Sequence, residues 1–315
     1  FVLVSYLPIP EMIGEMKTKP TQHAVRSLNY AGIQPDIIVA RSPLPIDESR
    51  KRKIGIFCNI SEEDVISAPD TKMIYEVPIN FENDKLSDRI LQKFKLKSKA
   101  HDLREWKALV NRAHRAKKQV KIGIVGKYFE SGSFTLTDSY ISVIEAVKHG
   151  AWANDCAPDI HWLSAEKYEK DPRAVQELKS YNGIIVPGGF GSRGVEGKIK
   201  VIEFCRKNKI PYLGLCYGLQ MAVIEYSRNV CLLKGANTTE IKPDTKYPVI
   251  HTLSEQIANI QEKRMGGSMR LGAYTCVVHE DTKAHNAYGA KLITERHRHR
   301  YEVNSAYTSR LLKAG

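Results

Sequence analysis

One ten-residue run, Pro211-Tyr212-Leu213-Gly214-Leu215-Cys216-Tyr217-Gly218-Leu219-Gln220, constrains the fold more than any other stretch of the chain. Its first half is apolar and reads as a short buried strand. Its centre is a cysteine with a glycine two residues to either side. Its end opens a helix. A strand that becomes a helix within so few residues sets the thiol on a tight turn, beside backbone N–H groups that the first helical turn leaves unpaired. Those N–H groups and the helix dipole are expected to favour thiolate over thiol. A thiolate held this way can attack an acyl carbon.

A second signal lies upstream, at Pro187-Gly188-Gly189-Phe190-Gly191-Ser192-Arg193-Gly194, directly after the apolar residues Ile184 to Val186. Glycines there let backbone N–H groups face a cavity with no side chain in the way. They are candidates to hold the oxyanion that forms when Cys216 attacks an amide carbon.

The order of elements predicts an α/β fold. Strands are expected at Val2 to Tyr6, around Asp36 to Val39, at Ile54 to Phe57, at Val65 to Ile66 and at Met73 to Val77. Helices are expected from Thr21 to Ala31 and from Asp47 to Arg52. From 120 onward, Lys121 to Val125, Ile184 to Val186 and Tyr212 to Leu215 read as parallel-type strands. Helices at Ser139 to His149, Ala174 to Lys179 and Val195 to Lys207 are expected to cover both faces of that sheet. The division expected is one domain over 1–80, a connection over 81–119 and a second domain over 120–315. Asp102 can cap a helix in the connection, with Leu103, Trp106, Val110 and Ala113 on one face.

Composition excludes some classes of function. No run of eighteen apolar residues occurs, so no membrane span is expected. Six scattered cysteines show neither zinc nor redox spacing, and their low density suggests a reducing cytoplasm. The formal charge of +13 would suit nucleic acid, yet residues 93–121 alone carry eleven Lys or Arg against two acids. That is one linker and helix with no reader motif, and anionic nucleotide ligands would explain basic side chains equally well. Neither a nucleic acid nor a membrane is expected as a partner.

Taken together, the elbow at Cys216 and the loop at Gly188-Gly189 resemble the glutamine-hydrolysing domain of class I glutamine amidotransferases. More of the chain resembles the CTP synthase family: Gly14-Glu15 through Lys17-Thr18-Lys19-Pro20-Thr21-Gln22, Asn237-Thr238-Thr239-Glu240, Gly266-Gly267-Ser268-Met269-Arg270-Leu271-Gly272, and the distinctive Glu295-Arg296-His297-Arg298-His299-Arg300-Tyr301-Glu302-Val303-Asn304. The resemblance implies the end of a P-loop-type synthetase (amidoligase) domain, followed by an amidotransferase domain with a mostly parallel sheet.

By that resemblance Cys216 is the nucleophile, and Gly189 and Tyr217 supply the oxyanion N–H groups. Gly218, Leu219 and Gln220 lie in the glutamine-contacting stretch. Glu240 meets the glutamine amine and Arg300 its carboxylate, contacts that suit charge-assisted hydrogen bonding. Lys17, Thr18, Lys19, Pro20, Thr21, Gln22 and Lys53 correspond to the site for UTP and its inhibitory product CTP, and Pro69, Asp70 and Thr71 to a loop near the adenine of ATP. The implied chemistry is ATP-dependent amination of UTP by ammonia from L-glutamine, with Mg²⁺ on residues outside this chain and GTP as activator. The implied assembly is a homo-tetramer, with filaments. The family draws its histidine base from a His-Pro-Glu segment beyond the arginine-rich run. None of the ten histidines has that context, so the chain alone is expected to be incomplete for catalysis. A catalytically inactive regulatory or assembly module, or another class I amidotransferase, is the alternative expectation.

Overall fold

The computed structural model describes residues 1–99, 102–126, 130–131, 134–135, 140–252 and 270–315. The chain forms two compact units, Phe1–Arg115 and Ala116–Gly315.

The first unit is built on a three-stranded parallel sheet. Strand β1 (Val2–Tyr6) pairs with β2 (Ile37–Ser42), and β2 with β3 (Val65–Pro69). Central β2 is apolar on both faces, with Ile37, Ile38, Val39 and Ala40 all buried, as a strand covered on both sides must be. One face meets α1 (Lys19–Tyr30) and α2 (Glu48–Cys58) through Ile38, Val25, Ile54 and Cys58. The other is covered by Phe81, Leu86 and Ile90. These belong to α3 (Val77–Asn83) and α4 (Leu86–Lys93), so part of the stretch read as a connection is packed structure. In α5 (Arg104–Arg115), the Arg104 N–H is capped by Asp102 (3.0 Å) and Val110 is buried.

Two expected strands are helical. Ile54 to Phe57 is the last turn of α2. Asp47 caps the start of that helix, accepting from Arg50 N–H (2.8 Å), and Asn59 closes its end at φ 55°. Ile54 and Cys58, four apart, are buried while Ile56 and Phe57 are exposed, so helical spacing governs rather than alternation. Met73 to Val77 is a 3₁₀ turn running into α3, where Pro78 suits a first helical turn.

The second unit centres on a four-stranded parallel sheet in the order β7-β4-β8-β9. The strands are β4 (Lys118–Gly126), β7 (Cys156–Ser164), β8 (Gly183–Val186) and β9 (Tyr212–Gly214). A small hairpin, β5 (Glu130–Ser131) with β6 (Phe134–Thr135), follows β4. The helices are α6 (Ile141–Ala153), α7 (Ala165–Lys170), α8 (Val195–Asn208) and α9 (Tyr217–Asn229). The helix expected at Ala174 to Lys179 is a 3₁₀ stretch, Pro172–Ser180, started by Asp171 accepting from Arg173 N–H. The turn at Lys127-Tyr128, the start of the helix expected at Ser139, and residues 266–269 of the second glycine run lie outside the described residues.

Two cores flank this sheet. One joins Val125, Tyr168, Leu178, Ile184 and Val201. The other joins Ile199, Ile202, Tyr217, Met221, Ile224 and Val249. A second layer adds β10 (Asn237–Thr238), β11 (Pro248–Thr252), and the antiparallel pair β12 (Arg270–Val277) and β13 (Leu292–His299), ending in β14 (Tyr301–Val303). Strand β14 runs antiparallel to β11, which fixes the end of the arginine-rich run. Among the described residues no helix is long and apolar enough to cross a membrane.

Helix α8 lies so close to α7 that a Cβ on Gly197 would sit 1.9 Å from the Ala165 carbonyl oxygen. Gly197→Ala is expected to destabilise the unit by about 1–3 kcal/mol, the usual range for overpacking. Gly150→Ala, in α6 with nothing within 4 Å of the added carbon, is expected to shift stability the other way by about 0.5–1 kcal/mol. Urea midpoints of the two variants moving in opposite directions would bear this out.

Candidate active site at the strand-to-helix turn

Helix α9 comes down onto the sheet at van der Waals limits. A Cβ on Gly214 would lie 2.5 Å from the Gly218 carbonyl carbon, and one on Gly218 would lie 2.0 Å from the Val186 oxygen. Only glycine fits at either place. Leu215 N–H continues the sheet by donating to Val186 O (2.9 Å), and Gly218 N–H already donates to Leu215 O (2.9 Å). Cys216 must turn the chain between them, and does so at φ 50°, ψ −102°. A residue with a side chain seldom occupies that region, and such strain is characteristic of functional turns. Tyr212 secures the turn from below, its hydroxyl donating to Gly218 O (2.8 Å).

Cys216 is solvent-accessible, yet protein crowds around the sulfur. This partial desolvation pushes the thiol above its ordinary value; the Tyr217 N–H hydrogen bond to the sulfur pulls it down, and the Glu240 carboxylate pushes it up again. The net direction is up. The expectation that the turn favours thiolate is therefore corrected, because burial and a nearby carboxylate outweigh one N–H.

The glycine loop lies beside this turn. A methyl on Gly188 would sit 3.7 Å from Cys216 Cβ, and one on Gly189 3.8 Å from the Tyr217 ring. Gly191 N–H donates to Glu240 Oε1 (2.7 Å), and the Tyr217 hydroxyl donates to Gly191 O. Glu240, just past β10, is thus held against the loop.

A cleft of about 390 Å³ opens at Cys216, lined further by Leu219, Gln220 and the run from Arg296 to His299 with Tyr301 to Val303. Cys216 Sγ is 3.9 Å from Arg298 O. Gln220 Nε2 donates to Tyr301 O (3.0 Å), while its Oε1 is buried with no hydrogen-bond partner among the described residues. Tyr301 is pushed up by burial and then by the Glu240 carboxylate, while the Arg300 charge acts in the opposite sense. Both charges therefore act on one phenol. The structure thus gathers Cys216, Gly189, Tyr217, Gly218, Leu219, Gln220 and Glu240 around the turn, and places Arg300 between two residues that line the cleft, His299 and Tyr301.

Residues that the sequence reading left unassigned also belong here. Gly191 holds Glu240, and Tyr301 receives Gln220. His297 and His299 line the cleft with their rings hydrogen-bonded (2.8 Å). Lys198 is almost fully buried, its Nζ 4.9 Å from the Tyr217 ring centroid. Its position was legible: Lys198 lies three residues from both Val195 and Val201 on the buried stripe of α8.

In the first unit the candidate nucleotide residues fall into two sets. Lys17 pairs with Glu15 (2.6 Å), and the charges of Arg50 and Lys53 also act on that carboxylate. Lys19 lies over the Phe57 ring, and Pro20 sits in the first turn of α1. Thr18, Thr21 and Gln22 are buried; Gln22 Nε2 donates to Thr18 Oγ1 (3.2 Å), and Thr21 shares a hydrogen bond with Ser5. Pro69 ends β3, Asp70 pairs with Arg41 (3.0 Å), and Thr71 donates to Met73 O. Among the described residues no three His, Cys, Asp or Glu side chains converge as a metal site would need.

Comparison with known proteins bears on this geometry. Residues 135–314 match the family described as glutamine amidotransferase class-I. The chain belongs to the class-I glutamine amidotransferases. Residues 1–96 match a second family, the CTP synthase N-terminus, and the chain is a CTP synthase homologue. It is 47% identical over all 315 residues to a CTP synthase of Caldanaerobacter subterraneus subsp. tengcongensis, and equally to one of Thermococcus gammatolerans. It spans 57% of the length of each. A solved structure of the glutaminase domain of Trypanosoma brucei CTPS, with bound acivicin, is 38% identical, with a TM-score of 0.55 over 62% of this chain and 72% of that one.

Alkylation of Cys216 by iodoacetamide is expected to rise with pH through a midpoint above about 8.5, the ordinary cysteine value. Glu240→Gln, which removes a charge that disfavours the thiolate, is expected to move the midpoint down. Rates followed by intact mass across pH would check both.

Proposed function

We propose that the second unit hydrolyses L-glutamine at Cys216 and that the protein uses the ammonia to aminate UTP to CTP with ATP. The observation that carries this reading is the cleft at Cys216, in which a strained turn meets an arginine-rich strand end, with the glycine loop packed against that turn. Cys216 Sγ attacks the side-chain amide carbon, and the Gly189 and Tyr217 N–H groups receive the oxyanion. Ammonia leaves, and water releases glutamate from the thioester. Glu240 takes the α-ammonium and Arg300 the α-carboxylate. The unpartnered Gln220 Oε1 suits a ligand that brings N–H donors.

In the first unit, Lys17, Lys19 and Lys53 would meet the triphosphate of UTP or of inhibitory CTP, and Pro69, Asp70 and Thr71 would border the adenine of ATP. Phosphoryl transfer calls for Mg²⁺, but the described residues hold no carboxylate cluster suited to the ion, and none of them is assigned to it. GTP activation, a homo-tetramer able to form filaments, and a cytoplasmic location complete the proposal. The 47% identity to CTP synthases along the whole chain supports the reaction and its substrates; the activator, the assembly and the location are carried over from that family resemblance.

Incubation with glutamine followed by acid quench and intact-mass analysis is expected to capture a glutamyl adduct, absent from Cys216→Ala. Arg300→Ala is expected to raise the glutamine concentration for half-maximal capture by about tenfold or more, the scale of one lost charge-assisted contact. An adduct that persists in Cys216→Ala, or capture of glutamine that Arg300→Ala leaves unchanged, would overturn the reading.

A further inference from the structure

The chemistry above uses the backbone of Tyr217 and leaves its side chain without a role, along with the buried ammonium of Lys198. The two are in contact. Tyr217 is 1% exposed and Lys198 2%, with Nζ 4.9 Å from the ring centroid. The phenol spans from the first residue of α9 to the glycine loop, where it donates to Gly191 O.

Gly191 is the junction. Its φ is 77°, a conformation open to glycine, in a loop whose glycines give little stiffness of their own. The peptide on its N-terminal side donates to Glu240 Oε1 (2.7 Å), and the peptide on its C-terminal side accepts from Tyr217. One residue thus receives two tethers, one from the residue next to the nucleophile and one from the carboxylate. A cation over the phenol face draws electron density from the ring and strengthens O–H donation. Since Lys198 is buried on α8, that cation is fixed in place rather than sampled from solvent.

We propose that the Tyr217 phenol, backed by Lys198, is a positioning group that fixes Gly191 and through it Glu240, and so sets the selectivity of the Cys216 cleft for ligands bearing an α-ammonium. This rests on the glutaminase reading, in which Glu240 meets that ammonium. It adds a residue whose hydroxyl touches neither substrate nor sulfur.

The test uses the full chain and two chloroketone electrophiles of glutamine shape, one with the α-amino group and one without it. The ratio of their rates of Cys216 modification reads the Glu240 contact, and changes in thiol reactivity cancel. Wild type is expected to prefer the amino compound. Tyr217→Phe keeps the ring in the core and removes only the hydroxyl; its ratio is expected to fall about tenfold, corresponding to about 1.4 kcal/mol. Lys198→Met is expected to lower the ratio in the same direction, by less. Combining Tyr217→Phe with Glu240→Gln is expected to cost little more than Glu240→Gln alone, as for residues acting through one contact. A wild-type preference that survives Tyr217→Phe, or losses that simply multiply in the double variant, would overturn the tether. A wild type with no preference would overturn the glutaminase reading, and the tether with it.

Discussion

The close approach of α9 to β8 governs the second unit. Two carbon positions, at Gly214 and Gly218, have no room for a methyl group, so the helix can start only after the chain has reversed within Leu215, Cys216 and Tyr217. The positive φ of Cys216 follows from that packing. Hydrogen bonds then fix the turn from each side: Leu215 N–H to Val186 O, Gly218 N–H to Leu215 O and Gln220 N–H to Cys216 O. The Cys216 sulfur is held by the core before any ligand arrives, which is what an accurately aimed group requires. The same helix carries the buried residues Met221 and Ile224, so strain at one residue is balanced by the burial of a whole helical face.

Everything else in the site is brought to that turn by tertiary structure. Gly188 to Gly191 arrive at the carboxyl end of β8, the next strand in the sheet. Glu240 arrives from β10, and the arginine-rich run from β13 and β14. The last is the most distant in sequence and the most firmly pinned. Tyr301 O accepts from Gln220, Asn304 N–H donates to Val249 O, and Asn304 Nδ2 donates to Pro248 O. Thus Gln220 acts as a brace between the elbow helix and the strand end, and its second amide atom is left without a partner in the cleft.

The elbow, the glycine loop and the central strands were legible because each is a local event: a glycine forced by close approach, or an apolar run between turns. The errors came where local signals conflict. Ile54 to Phe57 is apolar enough for a strand, but the cap at Asp47 and the left-handed Asn59 bound a helix around it. Met73 to Val77 has strand-like residues, yet Pro78 and the demand for a cover over Ile37, Val39 and Ile66 turn it helical. In the site, the roles of Gly191 and Tyr301 depend on contacts between residues far apart in sequence, and no spacing announces them; for Lys198 the spacing shows burial on α8 but not the Tyr217 ring it faces.

Electrostatics was the least legible level. An elbow cysteine at a helix start suggests thiolate, but the sulfur here also feels desolvation and the Glu240 carboxylate, and both favour the neutral thiol. In the proposed reaction these opposing influences are not a defect. A glutamine ammonium seated on Glu240 would offset the smaller of the two influences that favour the neutral thiol, while the Tyr217 N–H that favours the anion stays in place. Desolvation that penalises a thiolate also excludes water that would compete with the substrate for the N–H groups of the loop and turn. The carboxylate proposed to recognise the substrate is then also one of the influences, after burial, that disfavour the thiolate, so ligand binding at Glu240 and the state of the sulfur are linked.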